Sequence, residues 1–155
     1  MLKLISKLVG SKSDRDLKKL QPHVESVNAF DAALKTMSND QLRERTVAFK
    51  ASIVEATAET KASKDALHAQ IDATPDYDAR EPLYEEIEAL DAQELELIEG
   101  VLSAIHPEAF GVMRETARRF NAGDVRATAT VLDRELAKNH PHITLDGDEV
   151  IYSNS

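Results

Sequence analysis

The sequence predicts a mainly α-helical protein with a β-hairpin near its C-terminal end. Three observations carry this expectation. Alanine, leucine, glutamate, aspartate and lysine dominate, while aromatics make up 5% of the 155 residues and tryptophan is absent; that mix favours helices packed side by side over a large β core. Apolar residues recur three and four apart along most of the chain. Glycine and proline number five each, too few for a loop-rich or β-sandwich protein. A chain of this length can build one domain with a core. Cysteine is absent, which rules out disulfides, thiolate metal sites and thiol catalysis.

The elements follow in chain order. Met1, Leu4, Ile5 and Leu8 fall on one helical face and Gly10 supplies a stop. Lys3 and Lys7 flank that face, where their stems can snorkel beside lipid headgroups. Two readings stand for this amphipathic helix. It is an interfacial anchor contacting an anionic membrane through Met1, Lys3, Leu4, Ile5, Lys7 and Leu8, or it docks on the protein's own core. The interrupted apolar stretch is not a secretory signal, and no segment reaches the ~18–20 apolar residues of a transmembrane helix.

A second helix is expected with Ser13 as its cap and Asp14 and Asp16 in its first turn. Its apolar positions are Leu17, Leu20, Val24, Val27, Phe30 and Leu34. Pro22 predicts a kink or a late start, and the helix should stop near Met37. Ser38 and Gln41 then fit a capping box, with Met37 and Leu42 as its hydrophobic staple. From there Leu42, Thr46, Phe49, Ile53, Ala56, Thr60, Ser63, Leu67 and Gln70 or Ile71 follow heptad spacing, which predicts a long, partly exposed helix to about Ala73.

The run from Thr74 to Asp78 reads as a turn. The next helix should start between Pro75 and Pro82, with a seam of Leu83, Ile87, Leu90, Leu95 or Glu94, Ile98, Val101 or Leu102, and Ile105. Two such helices joined by a short turn fold back antiparallel. Gly100 weakens the second by about 1 kcal/mol relative to alanine. Pro107 should end that helix and begin a short amphipathic one, apolar at Phe110, Met113, Ala117 and Phe120, closing at Gly123. A mixed stretch and a short helix over residues 130–138 follow. Residues 141–145, Asp146-Gly147 and residues 148–152 read as strand, tight turn and strand. A lone hairpin is marginal, so it should pack on a helix or pair with further sequence.

Charge is distributed unevenly. The formal net charge is −9, yet residues 1–50 carry ten Lys or Arg against six acids, leaving −13 on the rest. Between Glu81 and Glu99 lie eight acids and no base. A positive start on an acidic body suggests an anionic partner near the N-terminus, such as a membrane surface. Nucleic acid is disfavoured, because no basic and aromatic stretch continues into the body.

Catalytic chemistry is sparse. The glycines stand singly at 10, 100, 111, 123 and 147, and no phosphate-cradling GxxxxGK[ST] pattern passes through them. The histidines show neither HExxH nor Glu-x-x-His spacing. His140 and His142 could share a metal on one strand face, or simply decorate an edge. Ser103 and His106 lie one helical turn apart, with no acid or oxyanion donor to activate the serine. The acids Glu85, Glu86, Glu88, Asp91, Glu94, Glu96 and Glu99 form either a docking face for a basic partner or a solvated outer face. Arg114, Arg118 and Arg119 form a basic cluster suited to pairing with acids of a neighbouring element. No catalytic, cofactor-binding or metal-binding residue is assigned.

Two ordered blocks resemble a known family. Lys7 to Lys18, with Gly10, Asp14 and Arg15, continues to Met37-Ser38-Asn39-Asp40-Gln41-Leu42-Arg43 and Thr46. It is similar to the opening of the SecA family of preprotein translocase ATPases. Ile105-His106-Pro107-Glu108-Ala109-Phe110, with Arg114, Glu115 and Ala117, is similar to that family's "L-I-P-E-A-F-A-x-V-R-E-A". Against many members this chain has an inserted acidic hairpin and an added stretch over residues 125–152.

The resemblance implies the N-terminal part of a motor that couples ATP hydrolysis to preprotein export through the SecYEG channel. It implies ATP and magnesium in the parent and none in this part, which would begin an α/β nucleotide-binding domain. It further implies anionic phospholipid and SecYEG as partners of the first helix, and self-association involving residues 17–34. The location would be cytoplasmic, peripheral on the inner face of the cell membrane. On this reading residues 1–54 are membrane-proximal and scaffold helices, 55–104 an inserted acidic hairpin, and 105–155 a helix and β-hairpin leading into the motor. The rival reading is a free-standing helical interaction module that uses the acidic hairpin.

Overall fold

The computed structural model describes residues 12–154. The expected membrane-contacting helix, with Met1, Lys3, Leu4, Ile5, Lys7 and Leu8, lies outside the described residues. Helices dominate, and a small antiparallel sheet forms near the C-terminal end, in agreement with the composition and periodicity. The chain divides into two compact units, Met1–Glu44 with Pro107–Ser155, and Arg45–His106.

In the first unit, α1 (Lys12–Asn28) and α2 (Asp31–Thr36) stand where one helix was expected. The break at Ala29 and Phe30 is hidden from periodicity because it lacks glycine and proline, and apolar residues three or four apart continue across it. Ser13 lies inside α1 rather than capping it, and α1 continues through Pro22. Leu34 is 1% exposed, whereas Leu17, Leu20 and Val24 remain exposed. The buried end of the expected face is therefore α2.

The capping box forms as expected at the start of α3 (Asn39–Ala73). Ser38 N–H donates to Gln41 Oε1 at 2.8 Å, and Gln41 N–H donates to Ser38 Oγ at 3.1 Å. Leu42 is buried beside it.

Helix α4 (Glu81–Ala122) contradicts the expected break at Pro107, which sits inside it. Proline forfeits one backbone hydrogen bond and costs about 3 kcal/mol in a helix interior. Downstream packing of Gly111 and Val112 and the ion pairs of Glu115 hold the helical course against that cost. The buried face also differs from the expected one. Phe110 and Met113 are 53% and 67% exposed, while Gly111, Val112 and Glu115 are buried. The helix ends as expected before Gly123, whose φ of +151° suits glycine.

Strand β1 (Val125–Thr128) was not foreseen. It is followed by α5 (Val131–Asn139), β2 (Ile143–Asp146) and β3 (Glu149–Tyr152). The sheet order is β1-β3-β2, antiparallel throughout. Ala127, Ile143 and Val150 form its core, packed by Leu136 and Ala137 of α5 and by Tyr152. The hairpin thus gains both a third strand and a covering helix. Its two-residue loop is Gly147-Asp148, since Asp146 pairs with Glu149. Gly147, at φ +60°, takes the first loop position that type II′ turns reserve for glycine.

The second unit is the antiparallel helical hairpin. Its arms are the part of α3 from Arg45 and the part of α4 up to His106, joined through a 3₁₀ turn, Asp78–Arg80. Thr57, Thr60, Leu67 and Ile71 are buried along the first arm. Thr57 Oγ1 donates to Ile53 O at 2.9 Å, so this polar seam member is satisfied within its own helix. On the second arm Glu94 and Val101 take the half-buried seam positions, leaving Leu95 and Leu102 exposed. Lys64 crosses between the arms, donating to Asp91 Oδ1 at 2.8 Å and to Glu94 Oε2. At the turn Arg80 Nε donates to Thr74 O at 2.6 Å and its guanidinium lies over the Tyr77 ring.

Candidate functional site

Two polar clusters in the first unit are each built on a buried carboxylate. The first is built on Asp133, 3% exposed. Thr130 caps α5, and its N–H and hydroxyl each donate to Asp133 Oδ2 at 2.8 Å. Arg43 adds a two-pronged contact, Nη1 to Oδ2 at 3.0 Å and Nη2 to Oδ1 at 3.1 Å, and the Tyr152 hydroxyl also donates to Oδ1. Burial pushes the Asp133 carboxyl up, but the hydrogen bonds from Tyr152, Thr130 and Arg43 outweigh it and hold it at about 2. Burial and the neighbouring carboxylate push the Tyr152 phenol up, so it stays a donor.

The second cluster is built on Glu115, 4% exposed. Arg118 Nη2 donates to its Oε1 at 2.6 Å and Arg118 Nε to its Oε2 at 2.8 Å, while Arg119 Nε donates to Oε1 at 2.8 Å. The Arg118 guanidinium, joined by Arg119, holds the carboxyl at about 2 against burial. Arg119 continues outward, donating from Nη2 to the carbonyls of Leu34 at 3.1 Å and Met37 at 2.7 Å. Those carbonyls lie at and just beyond the C-terminal end of α2, where Leu34 O also accepts from Met37 N–H at 3.3 Å. One turn earlier Arg114 donates to Asn28 Oδ1 at 2.7 Å and to Asp31.

Asn39 ties the Glu115 cluster to the sheet. Its Oδ1 accepts from Arg119 Nη1 at 2.7 Å, and its Nδ2 donates to Arg126 O on β1 at 2.6 Å. Asp40 beside it accepts from Thr128 N–H at 2.9 Å and from the Thr128 hydroxyl at 2.8 Å. The start of α3 is thereby tied to α4 on one side and to the sheet on the other.

This arrangement positions backbone. A general acid or base needs a pKa near working pH, whereas both carboxylates are held far below it and are saturated by donors. Of the expected pairings with acids of a neighbouring element, Arg114 makes one, to Asp31 on α2, whereas Arg118 and Arg119 pair with Glu115 of their own helix. His140 and His142 bring their rings to 5.6 Å on an exposed stretch, and among the described residues no three His, Asp or Glu side chains gather as a metal site. Ser103 and His106 are exposed on α4. Of the acidic face, Asp91 and Glu94 hold Lys64, and the remainder is exposed. Among the described residues no helix is long and apolar enough to cross a membrane.

The described glycines do not gather into one loop. Gly100 and Gly111 lie within α4, Gly123 follows its end, and Gly147 is in the hairpin loop. Sequence reasoning did not single out Asp133, though Thr130-x-x-Asp133 carries a capping-box spacing that signals it. Arg119 was legible as one of a basic cluster, but the burial of Glu115 carried no signal, because a buried charge is invisible to hydrophobic periodicity.

The family model described as "SecA DEAD-like domain" matches residues 5–131. The protein translocase subunit SecA of Flavobacterium psychrophilum is 38% identical over 153 residues, covering 98% of this chain and 14% of that protein. The protein of the same name from Christiangramia forsetii shows the same identity and coverage. That of Amoebophilus asiaticus is 40% identical over 157 residues, covering 99% of this chain and 14% of its own length. The chain therefore spans about one-seventh of these curated relatives. No solved structure matches it.

Proposed function

The chain belongs to the SecA DEAD-like domain family, and on that premise we propose that it forms the N-terminal part of a SecA preprotein translocase. The parent couples ATP hydrolysis to the export of unfolded preproteins through the SecYEG channel. Residues 12–154 supply scaffold at the entrance to the first nucleotide-binding domain. Residues 1–9 supply attachment to anionic phospholipid and to the channel, through Met1, Lys3, Leu4, Ile5, Lys7 and Leu8. The parent works in the cytoplasm, peripheral on the inner face of the membrane, and self-associates.

The observation that carries this reading is identity spread over 98% of the chain with a relative named protein translocase subunit SecA. ATP and magnesium are bound by the parent outside these residues, which offer no glycine loop. The two polar clusters support the scaffold role, since their carboxylates are spent on fixing α2, α3, α4 and the sheet.

The decisive experiment is a chimaera. The matching segment of the Flavobacterium psychrophilum protein is replaced by this chain, and preprotein translocation into inverted membrane vesicles is measured. Retained ATP-dependent translocation is expected; a folded chimaera with no translocation overturns the assignment. Attachment is tested separately. The chain should co-sediment with anionic but not neutral vesicles, and the double substitution Lys3→Glu and Lys7→Glu should weaken this. Unchanged binding would show that residues 1–9 are not the anchor.

A further inference from the structure

The sheet has two outer edges, and their occupancy differs. Ala129 N–H donates to Asp148 O at 2.8 Å, so alternation turns backbone groups of Arg126 and Thr128 on β1 away from β3. Side chains from α3 take these groups. Asn39 donates to Arg126 O, Asp40 accepts from Thr128 N–H, and Arg43 donates to Thr128 O at 2.9 Å.

On the other edge, Ser153 N–H donates to His142 O at 2.8 Å, so alternation turns Ile143 and Leu145 on β2 outward. Ile143 N–H is spent on His140 O at 3.0 Å. The Ile143 carbonyl and both backbone groups of Leu145 have no hydrogen-bond partner among the described residues. Edge strands left open in this way are templates for another strand.

A groove of about 400 Å³ lies beside that open edge, between β2 and α5, lined by Arg134, Ala137, Lys138, Ile143, Thr144 and Leu145. Its apolar floor is flanked by two cations. Arg134 reaches only Asp148, at 3.4 Å and fully exposed, and Lys138 pairs with exposed Glu135 at 2.7 Å. Exposed pairs of this kind are worth only ~0–1 kcal/mol, so an incoming carboxylate can replace either acid.

We propose that β2 is a docking edge for an extended acidic peptide, which adds as a fourth, antiparallel strand and lays one apolar side chain in the groove between β2 and α5. Main-chain hydrogen bonds supply affinity in this mode and the groove supplies selectivity. The peptide residue opposite Leu145 exchanges two backbone hydrogen bonds with it, and its side chain falls on the same face as Leu145. That places it against Ala137 and Ile143. Two residues further along the peptide, opposite Ile143, a carboxylate on the same face meets the cationic rim. The opposite edge cannot serve, because Asn39, Asp40 and Arg43 already fill it.

The probe is a fluorescein-labelled, C-terminally amidated peptide, Ser-Thr-Val-Thr-Glu-Thr-Ser, titrated into the full chain by anisotropy. Saturable binding is expected, with the peptide carrying lysine in place of glutamate about tenfold weaker. Lys138→Glu should invert that preference. Leu145→Pro removes the outward N–H at an edge position where proline is tolerated, and should abolish binding with the helical circular dichroism unchanged. The Leu145 amide should exchange more slowly with peptide bound. No saturable binding to the unsubstituted chain overturns the proposal, as does binding unmoved by both substitutions. A concentration-dependent dimer that disappears in Leu145→Pro, with no peptide binding, also overturns it and gives the edge to a second copy.

Discussion

Two glycines of helix α4 should respond in opposite directions to the same substitution. A Cβ built at Gly111 meets Leu34 Cδ1 at 2.7 Å, with Phe30 Cβ at 3.6 Å and Val27 O at 3.8 Å. A Cβ at Gly100 meets nothing within 4 Å. Replacing an interior helical glycine with alanine gains about 1 kcal/mol from backbone entropy alone, so Gly100→Ala should stabilise by that amount. At Gly111 the same gain is opposed by overpacking, which costs about 1–3 kcal/mol in a filled core. Leu34 is 1% exposed and has no solvent to swing into. The net effect of Gly111→Ala should therefore be a loss of about 1 kcal/mol.

The two positions belong to different units, so a local readout is needed. Amide hydrogen exchange should quicken in α2 and the adjacent turn for Gly111→Ala and slow in the hairpin for Gly100→Ala. Urea unfolding followed by circular dichroism gives the summed change. Leu34→Ala alone should cost about 2–5 kcal/mol, and the double variant should cost less than the sum, because the truncation makes room for the new methyl. If Gly111→Ala stabilises as much as Gly100→Ala, the close approach of Leu34 to this helix is wrong.

Acid should weaken the first unit through Asp133 and Glu115. Both carboxyls are held at about 2 in the folded chain, below their unfolded values, so their contribution is full above about pH 4.5 and disappears as pH falls toward 2. For Asp133 this is about 1–2 kcal/mol once screening at Arg43, 35% exposed, is allowed for. Urea midpoints measured between pH 5 and 2 should fall less steeply in Asp133→Asn than in the parent chain, and equal slopes would refute the linkage. Arg119→Met should cost about 2–4 kcal/mol, because it strips donors from Glu115 and from the carbonyls of Leu34 and Met37; faster amide exchange confined to α2 is the expected signature. Ser38→Ala should cost about 1 kcal/mol by removing one half of the α3 capping box, read as a lower melting temperature with the hairpin's exchange pattern unchanged.

What the sequence made legible was whatever depended on neighbours in the chain. The capping box at Ser38 and Gln41 located the start of α3, and the Thr74-to-Asp78 turn located its end, because both signals are local. The helical hairpin followed from heptad spacing. Strand β1 escaped because Val125 to Thr128 holds a partly alternating pattern whose partner, β3, lies more than twenty residues on. Pro107 misled for the opposite reason: its local penalty is real, and burial at Gly111 and Val112 together with the ion pairs of Glu115 within the helix offset it. The misplaced face of α4 shares that origin, since its buried side is closed by a glycine and an ion-paired glutamate rather than by large apolar residues. The scaffold site was half visible: the arginines stood out as a cluster, but the buried acids that fix them did not.

Asn39 gives the first unit a sense of direction. The two ends of its amide have opposite polarity, one offering hydrogens to β1 and the other a lone pair to Arg119. Aspartate would add a negative charge suited to the helix start and still accept from Arg119, yet it would turn a second acceptor toward the Arg126 carbonyl and push the strand away. Leucine would fill the space and recognise neither neighbour. Tolerance at this one position thus separates two tasks that coincide in the native chain, opening a helix and keying a sheet to it.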